Sequence, residues 1–327
     1  MPKSSVGAMA PTCQHWAKIA RLATVVCVCL TLTACDDKPT KPLPSYATGG
    51  DYYPAWSPDG TTIAFLSEDI ADSNGTPEEW LRTIDLDTRV ITDVWHIPGG
   101  SAWDFSWSPD SRWLVFHGEG GIARILATGD SLQVLASGAF VPGPSWSAVS
   151  NRIYVSGTPV SSASGVYAMN PDGSGLVLLF SGDNRLNFVR CFRGSDSLLA
   201  TQVQPYSGRE CFLIADPVSG WIGDHILCGT DVIHEIRIDS KNSQVYFVGR
   251  PNDNSEYAIY QFSRLNSSIR KVAGGHSFDL SPNDSFLVYS QFGSVTFRPL
   301  IVLNLTTGVS CQLTRLPKGV AGCTSWP

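Results

Sequence analysis

A pentapeptide turn followed by an apolar strand occurs twice without a gap. Trp56-Ser57-Pro58-Asp59-Gly60 leads into Thr61-Thr62-Ile63-Ala64-Phe65, and Trp107-Ser108-Pro109-Asp110-Ser111 into Arg112-Trp113-Leu114-Val115-Phe116. Each part has a physical role: Pro fixes φ, Asp bonds the backbone ahead of it, and Gly accepts φ > 0, so the chain reverses and a second strand returns beside the first. Weaker copies stand at Trp146-Ser147 before Ile153-Tyr154-Val155 and at Leu280-Ser281-Pro282-Asn283-Asp284 before Phe286-Leu287-Val288-Tyr289. Degenerate ones begin at Phe192 and Ile238. With the Trp position as anchor, the copies start at 56, 107, 146, 192, 238 and 280, a mean period of about 45 residues. Four-stranded propeller blades repeat at roughly 40 to 45 residues, and each must stack on its neighbours to bury both faces. The expected fold is therefore an all-β β-propeller of four antiparallel strands per blade. Six blades account for the copies; seven is the alternative, because another anchor opens at Trp326.

Composition agrees. Thirty Gly and 21 Pro supply turns, 34 aromatic residues supply core, and only 16% of residues are charged, which excludes a disordered chain or a coiled coil. A formal charge of -6, with no basic tract, excludes a nucleic-acid footprint. A second hairpin, Tyr167-Ala168-Met169-Asn170-Pro171-Asp172-Gly173-Ser174-Gly175, lies within the third repeat. With the Trp-Ser-Pro-Asp-Gly turns, it resembles the TolB-type, or WD-repeat-like, propeller repeat over residues 46 to 327. That resemblance implies a bacterial envelope protein whose propeller receives a peptide segment of a partner. Repeats four and five lack the Ser-Pro-Asp-Gly turn, and only a short polar stretch stands where TolB carries a helical N-terminal domain.

The first 34 residues carry Lys3, Lys18 and Arg21, no acid, and an apolar run from Leu22 to Ala34. That is a secretory leader, with an apolar run short of the roughly 20 residues needed to span a bilayer. Leu32-Thr33-Ala34-Cys35 resembles the bacterial lipobox, which makes Cys35 the lipidated first residue of the mature chain. Residues 35 to 45, with Pro39, Pro42 and Pro44, form a tether, and 46 to 327 form the propeller. The mature chain keeps 20 Lys and Arg against 29 Asp and Glu. The expected address is the cell envelope, on a lipid anchor, at the periplasmic or cell-surface face.

Chemistry-bearing motifs are scarce. No nucleophile elbow, P-loop, dinucleotide fingerprint, HExxH or EF-hand spacing occurs, and no CxxC, so neither cofactor nor metal is expected. Cys191, Cys211, Cys228, Cys311 and Cys323 are odd in number, leaving at least one free thiol; Cys311 with Cys323 is the first pairing to consider. Four residues before each anchor stand Tyr52, Trp103, Pro142, Phe188, His234 and His276. Period-two alternation places these at one channel mouth, as a platform for a peptide or a sugar. Asp51, Asp104, Arg190, Glu235, Arg237 and Asp279 add mixed charge to the same strands. Asp59, Asp110 and Asp172, beside Pro58, Gly60, Pro109 and Gly173, are read as turn-building. The expectation is a non-catalytic protein-binding module. The alternative is a carbohydrate-active enzyme or glycan binder using His234 and His276.

Overall fold

The computed structural model describes residues 49–70, 77–97, 103–118, 120–141, 143–205, 207–292 and 297–315. The expected leader, Cys35, the expected tether and Cys323 lie outside them. Hydrogen-bonded pairings join the strands into four sheets of five, eight, seven and four strands, along which six successive antiparallel groups of four are traced. The first holds β1 (Gly49–Trp56), β2 (Thr62–Ile70), β3 (Pro77–Asp85) and β4 (Ile91–Ile97); the second β5 (Trp103–Trp107), β6 (Trp113–Gly118), β7 (Gly121–Leu126) and β8 (Gln133–Phe140). The third holds β9 (Ser145–Trp146), β10 (Ile153–Pro159), β11 (Gly165–Met169) and β12 (Val177–Ser181); the fourth β13 (Leu186–Cys191), β14 (Leu198–Val203), β15 (Glu210–Asp216) and the first part of β16 (Trp221–Ile238). The rest of β16, with β17 (Gln244–Arg250), β18 (Ala258–Ser263) and β19 (Ile269–Ala273), makes the fifth. The sixth is β20 (Gly275–Leu280), β21 (Phe286–Gln291), β23 (Leu300–Asn304) and β24 (Ser310–Gln312), while β22 (Phe297–Arg298) pairs parallel to β1.

Both faces of each group are buried. Ile63 and Phe65 on β2 pack against Phe286 and Val288 of the sixth group, whereas Ala64 and Leu66 face Phe105 and Phe116 of the second. Six apolar clusters alternate with the six groups in this way, and one of them joins the last group to the first. The strand that follows each turn therefore reads as a continuous apolar run, because no face of it meets water. This is a β-propeller.

The repeat turn is built as its residues dictate. Ser57 Oγ donates to Asp59 Oδ1 at 2.7 Å, Thr61 N to the same oxygen at 3.0 Å, and Gly60, at φ 78°, closes the reversal by donating to Ser57 O at 2.9 Å. Partial burial raises the Asp59 pKa, but the bonds from Ser57, Thr61 and Ser111 outweigh it and hold the carboxyl below its usual value. Asp110 repeats the contact with Ser108, and Asn283 with Ser281. Asp172 likewise accepts from Ser174 N at 3.0 Å.

One anchor moves. In the other five groups the anchor pairs with the residue seven positions on, as in Trp56 with Ile63 and Leu280 with Leu287. In the fourth group that residue is Cys191, paired with Leu198, and Phe192 takes the serine position by donating its N–H to Ser197 O. The expected anchor at Phe192 was one residue late, because an aromatic side chain marked the wrong position.

The seam is also more specific than the repeats implied. Arg315, in the last described residues, is buried with Asp51 of β1 at 2.9 Å, and Asp51 further accepts from Ser67 and from Thr314. The first strand and the last described residues thus meet through ions and hydroxyls. Cys211 and Cys228 form a disulfide that the cysteine count had not singled out; Cys191 is free, and burial pushes its thiol pKa up to about 12. Cys311 is disulfide-bonded, and its expected partner Cys323 lies outside the described residues.

Candidate functional site

With the fourth anchor at Cys191, the residues one before each anchor are Ala55, Ser106, Ser145, Arg190, Arg237 and Asp279. All six line one cavity of about 390 Å³, so every group of strands contributes to it and it lies on the central axis. Trp56, Phe105, Trp107, Trp146, Phe192 and Ile238 supply its apolar lining beside that polar ring and Arg193, and its rim holds Pro58, Pro109, Ala148 and Pro282. The anchors and turn prolines expected to be structural therefore also form a funnel.

The ring at its base works as a hydrogen-bond belt. Ser106 Oγ accepts from Trp146 N at 3.1 Å, Ser145 Oγ from Cys191 N at 2.9 Å, and Asp279 Oδ2 from Trp56 N at 2.7 Å, each link joining one group to the next. Ala55 has no acceptor in its side chain, and its carbonyl takes the Trp107 indole N–H at 2.9 Å instead. Arginine cannot accept, so Arg190 and Arg237 reach elsewhere. Arg190 pairs with Asp104, and Arg237 lies 3.5 Å from Asp104 Oδ1 and 2.7 Å from Asp279 Oδ1. Arg193 crosses from the fourth group to the sixth, donating to the carbonyls of Leu280, Ser281 and Pro282.

Asp104 reaches the axis because β5 bulges there: its φ is 47° and pairing slips between Trp103 and Phe105. Bulges re-aim side chains in this way. Glu235, also two residues deeper than the ring, is completely buried, accepts from Phe278 N and leaves Oε1 unpartnered. Two arginines already balance Asp104 and Asp279. Burial first, and the Asp104 charge second, hold the Glu235 pKa well above the ordinary glutamate value.

The expected mouth platform comes together only in part. Tyr52 and His276 stand with ring centroids 5.4 Å apart, and His276 lies 5.7 Å from the exposed ring of Phe292. Phe188 does not join them. The one-residue slip of the fourth anchor puts Asn187 at that place, and Phe188 packs in the core with Phe212, Ile236 and Phe247. Pro142 and the side chains of Trp103 and His234 lie outside the described set. Asp51 belongs to the seam, whereas Asp104, Arg190, Glu235, Arg237 and Asp279 do meet on the axis. Arg193 was missed, since nothing in its local sequence marks a residue that spans two groups.

No family model and no curated protein matches the chain. Solved structures do. TolB from Acinetobacter baumannii aligns over 83% of this chain and 64% of its own length, at 13% identity and a TM-score of 0.58. The putative TolB from Agrobacterium tumefaciens aligns over 71% and 86%, at 17% identity and 0.59. Oligogalacturonate lyase from Vibrio parahaemolyticus aligns over 83% and 93%, at 11% identity and 0.51. The chain has a TolB-like β-propeller fold, shared with catalytic and non-catalytic proteins alike.

Proposed function

We propose that this chain is a lipid-anchored, six-bladed envelope propeller that binds an extended segment of a partner protein and catalyses no reaction. The observation that carries the reading is the axial funnel: all six strand groups line it, and its lining sets aromatic side chains beside Arg190, Arg237 and Asp279, which are ion-paired with one another and with the buried Asp104. The aromatic lining takes apolar side chains, while the fixed charges and carbonyls beside it suit backbone amides and a mixed-sequence chain. Cys35 would carry the acyl chains, and residues 36 to 45 would hold the propeller off the bilayer. Two acyl chains give stable anchoring.

The test is recovery of a partner from envelope extract by the full-length chain, with Ala148→Glu at the funnel rim and Phe292→Glu at the opposite mouth. Both positions are exposed, so neither change should alter the melting temperature. A partner lost with Ala148→Glu and kept with Phe292→Glu places binding in the funnel; the reverse places it at the Tyr52 and His276 end and overturns the assignment. Mass spectrometry of the membrane fraction should find Cys35 acylated, and a soluble unmodified chain would overturn the anchor.

A further inference from the structure

The fourth group of strands holds a second cluster of reactive side chains, none of which belongs to the axial ring. Cys211 on β15 and Cys228 on β16 are direct cross-strand partners, with Cα atoms 4.0 Å apart, joined as a disulfide. His225 and Cys228 are three residues apart, which on a regular strand puts them on opposite faces. Here they share one face, because β16 bulges: Phe212 pairs with Leu227 and Leu213 with His225, leaving Ile226 as the extra residue. As a result one imidazole nitrogen and both sulfurs lie within 4.8 Å of one another. Gln202, the cross-strand neighbour of Cys211 on β14, holds the ring with a 2.6 Å contact between its Oε1 and His225 Nε2. Cys228 and His225 are exposed, so the cluster is open to solvent.

We propose that Cys211, His225 and Cys228 form a redox-gated site for a thiophilic divalent cation of the zinc class. In the oxidised chain both sulfurs are tied to each other and hold no metal. A dithiol reductant gives up two electrons and two protons, ending as its own disulfide, and the Cys211–Cys228 bond becomes two thiols. The cation then displaces both thiol protons, takes two thiolates and the imidazole, and keeps water as its fourth ligand. Two sulfurs and one nitrogen are a donor set that zinc accepts in tetrahedral sites. A metal-binding histidine is usually oriented by donating its other ring N–H to an oxygen acceptor, and Gln202 Oε1 stands where it can accept from His225 Nε2.

The test titrates the purified full-length chain with Zn2+ against a chromophoric chelator, before and after reduction by a phosphine, which itself competes poorly for zinc. The reduced chain should bind one equivalent at this site and release two protons, with affinity at least ten-fold weaker in His225→Ala and lost in Cys228→Ser; the oxidised chain should bind none there. Equal affinity in oxidised and reduced chains, or an unchanged affinity in His225→Ala, overturns the site. So does loss of the β-sheet circular dichroism signal on reduction, since an unfolded chain holds no assembled triad.

Discussion

Glu235 is the residue on which the axial cluster turns. Around it two arginines neutralise two aspartates, so a third negative charge would be uncompensated in a buried place. Its carboxyl is therefore protonated in the folded chain over a pH range where an unfolded glutamate is ionised. The sign follows from proton counting. Between the unfolded pKa, about 4.3, and the raised folded value, the native state holds one more proton, so stability falls as pH rises, by up to about 1.4 kcal/mol per pH unit. Glu235→Gln keeps an oxygen for the Phe278 amide and carries no charge at any pH. Urea unfolding from pH 5 to 8 should show a downward slope in the parent that the variant lacks, with the variant the more stable at pH 8. Parallel slopes would show that another group titrates.

Among the elements, the innermost strands are joined by side chains as much as by packing. Ser106→Ala removes the acceptor of the buried Trp146 N–H, and an unsatisfied buried donor costs about 1–3 kcal/mol. Thermal unfolding should register that loss, and amide exchange at Trp146 should quicken. The turns admit a matched pair of tests. Gly173, at φ 85°, has Leu135 O only 2.6 Å from where a Cβ would sit, whereas Gly194 has nothing within 4 Å. Gly173→Ala should cost at least about 1 kcal/mol, since both conformation and space oppose it; Gly194→Ala should stay within about 0.5 kcal/mol. The turns were legible because their chemistry is local: serine, proline, aspartate and glycine act on neighbours two to five residues away. The belt was not. Asp279, Arg190 and Arg237 stood out as inner-strand charges, but their part in a belt did not, and Ser106 and Ser145 are ordinary residues until rings of strands place them next to another group's amide. In the fourth group the local signal misled, for Phe192 looked like an anchor while Cys191 occupied the position, and Phe188 went to the core with it. The disulfide was hidden similarly, since a bulge and a register, not a spacing motif, brought Cys211, His225 and Cys228 together.

At the scale of the whole molecule, the distinctive demand is closure. Every apolar cluster but one joins groups adjacent in sequence; the cluster of Trp56 and Phe65 with Phe286 and Leu300 must join residues more than 200 positions apart. Loop-closure entropy opposes that contact more than the others, though the penalty grows only logarithmically with length. Ion pairing reinforces the same seam. Arg315 contacts Asp51 at 2.9 Å and Asp69 at 3.4 Å, donates to the carbonyls of Gly50 and Glu68, and is almost wholly buried. Arg82 shares Asp69 at 2.7 Å and Ser67 Oγ at 2.7 Å, so the first group and the last described residues form one network. Removing one partner strands a buried charge: Arg315→Met should cost about 3–5 kcal/mol. Asp51→Asn in the same chain removes the stranded charge, so the double variant should be destabilised by less than the sum of the two single changes. Thermal melts of the four chains measure this coupling. Additive losses would show that Arg315 stabilises the seam by packing alone, and closure would then rest on the apolar cluster.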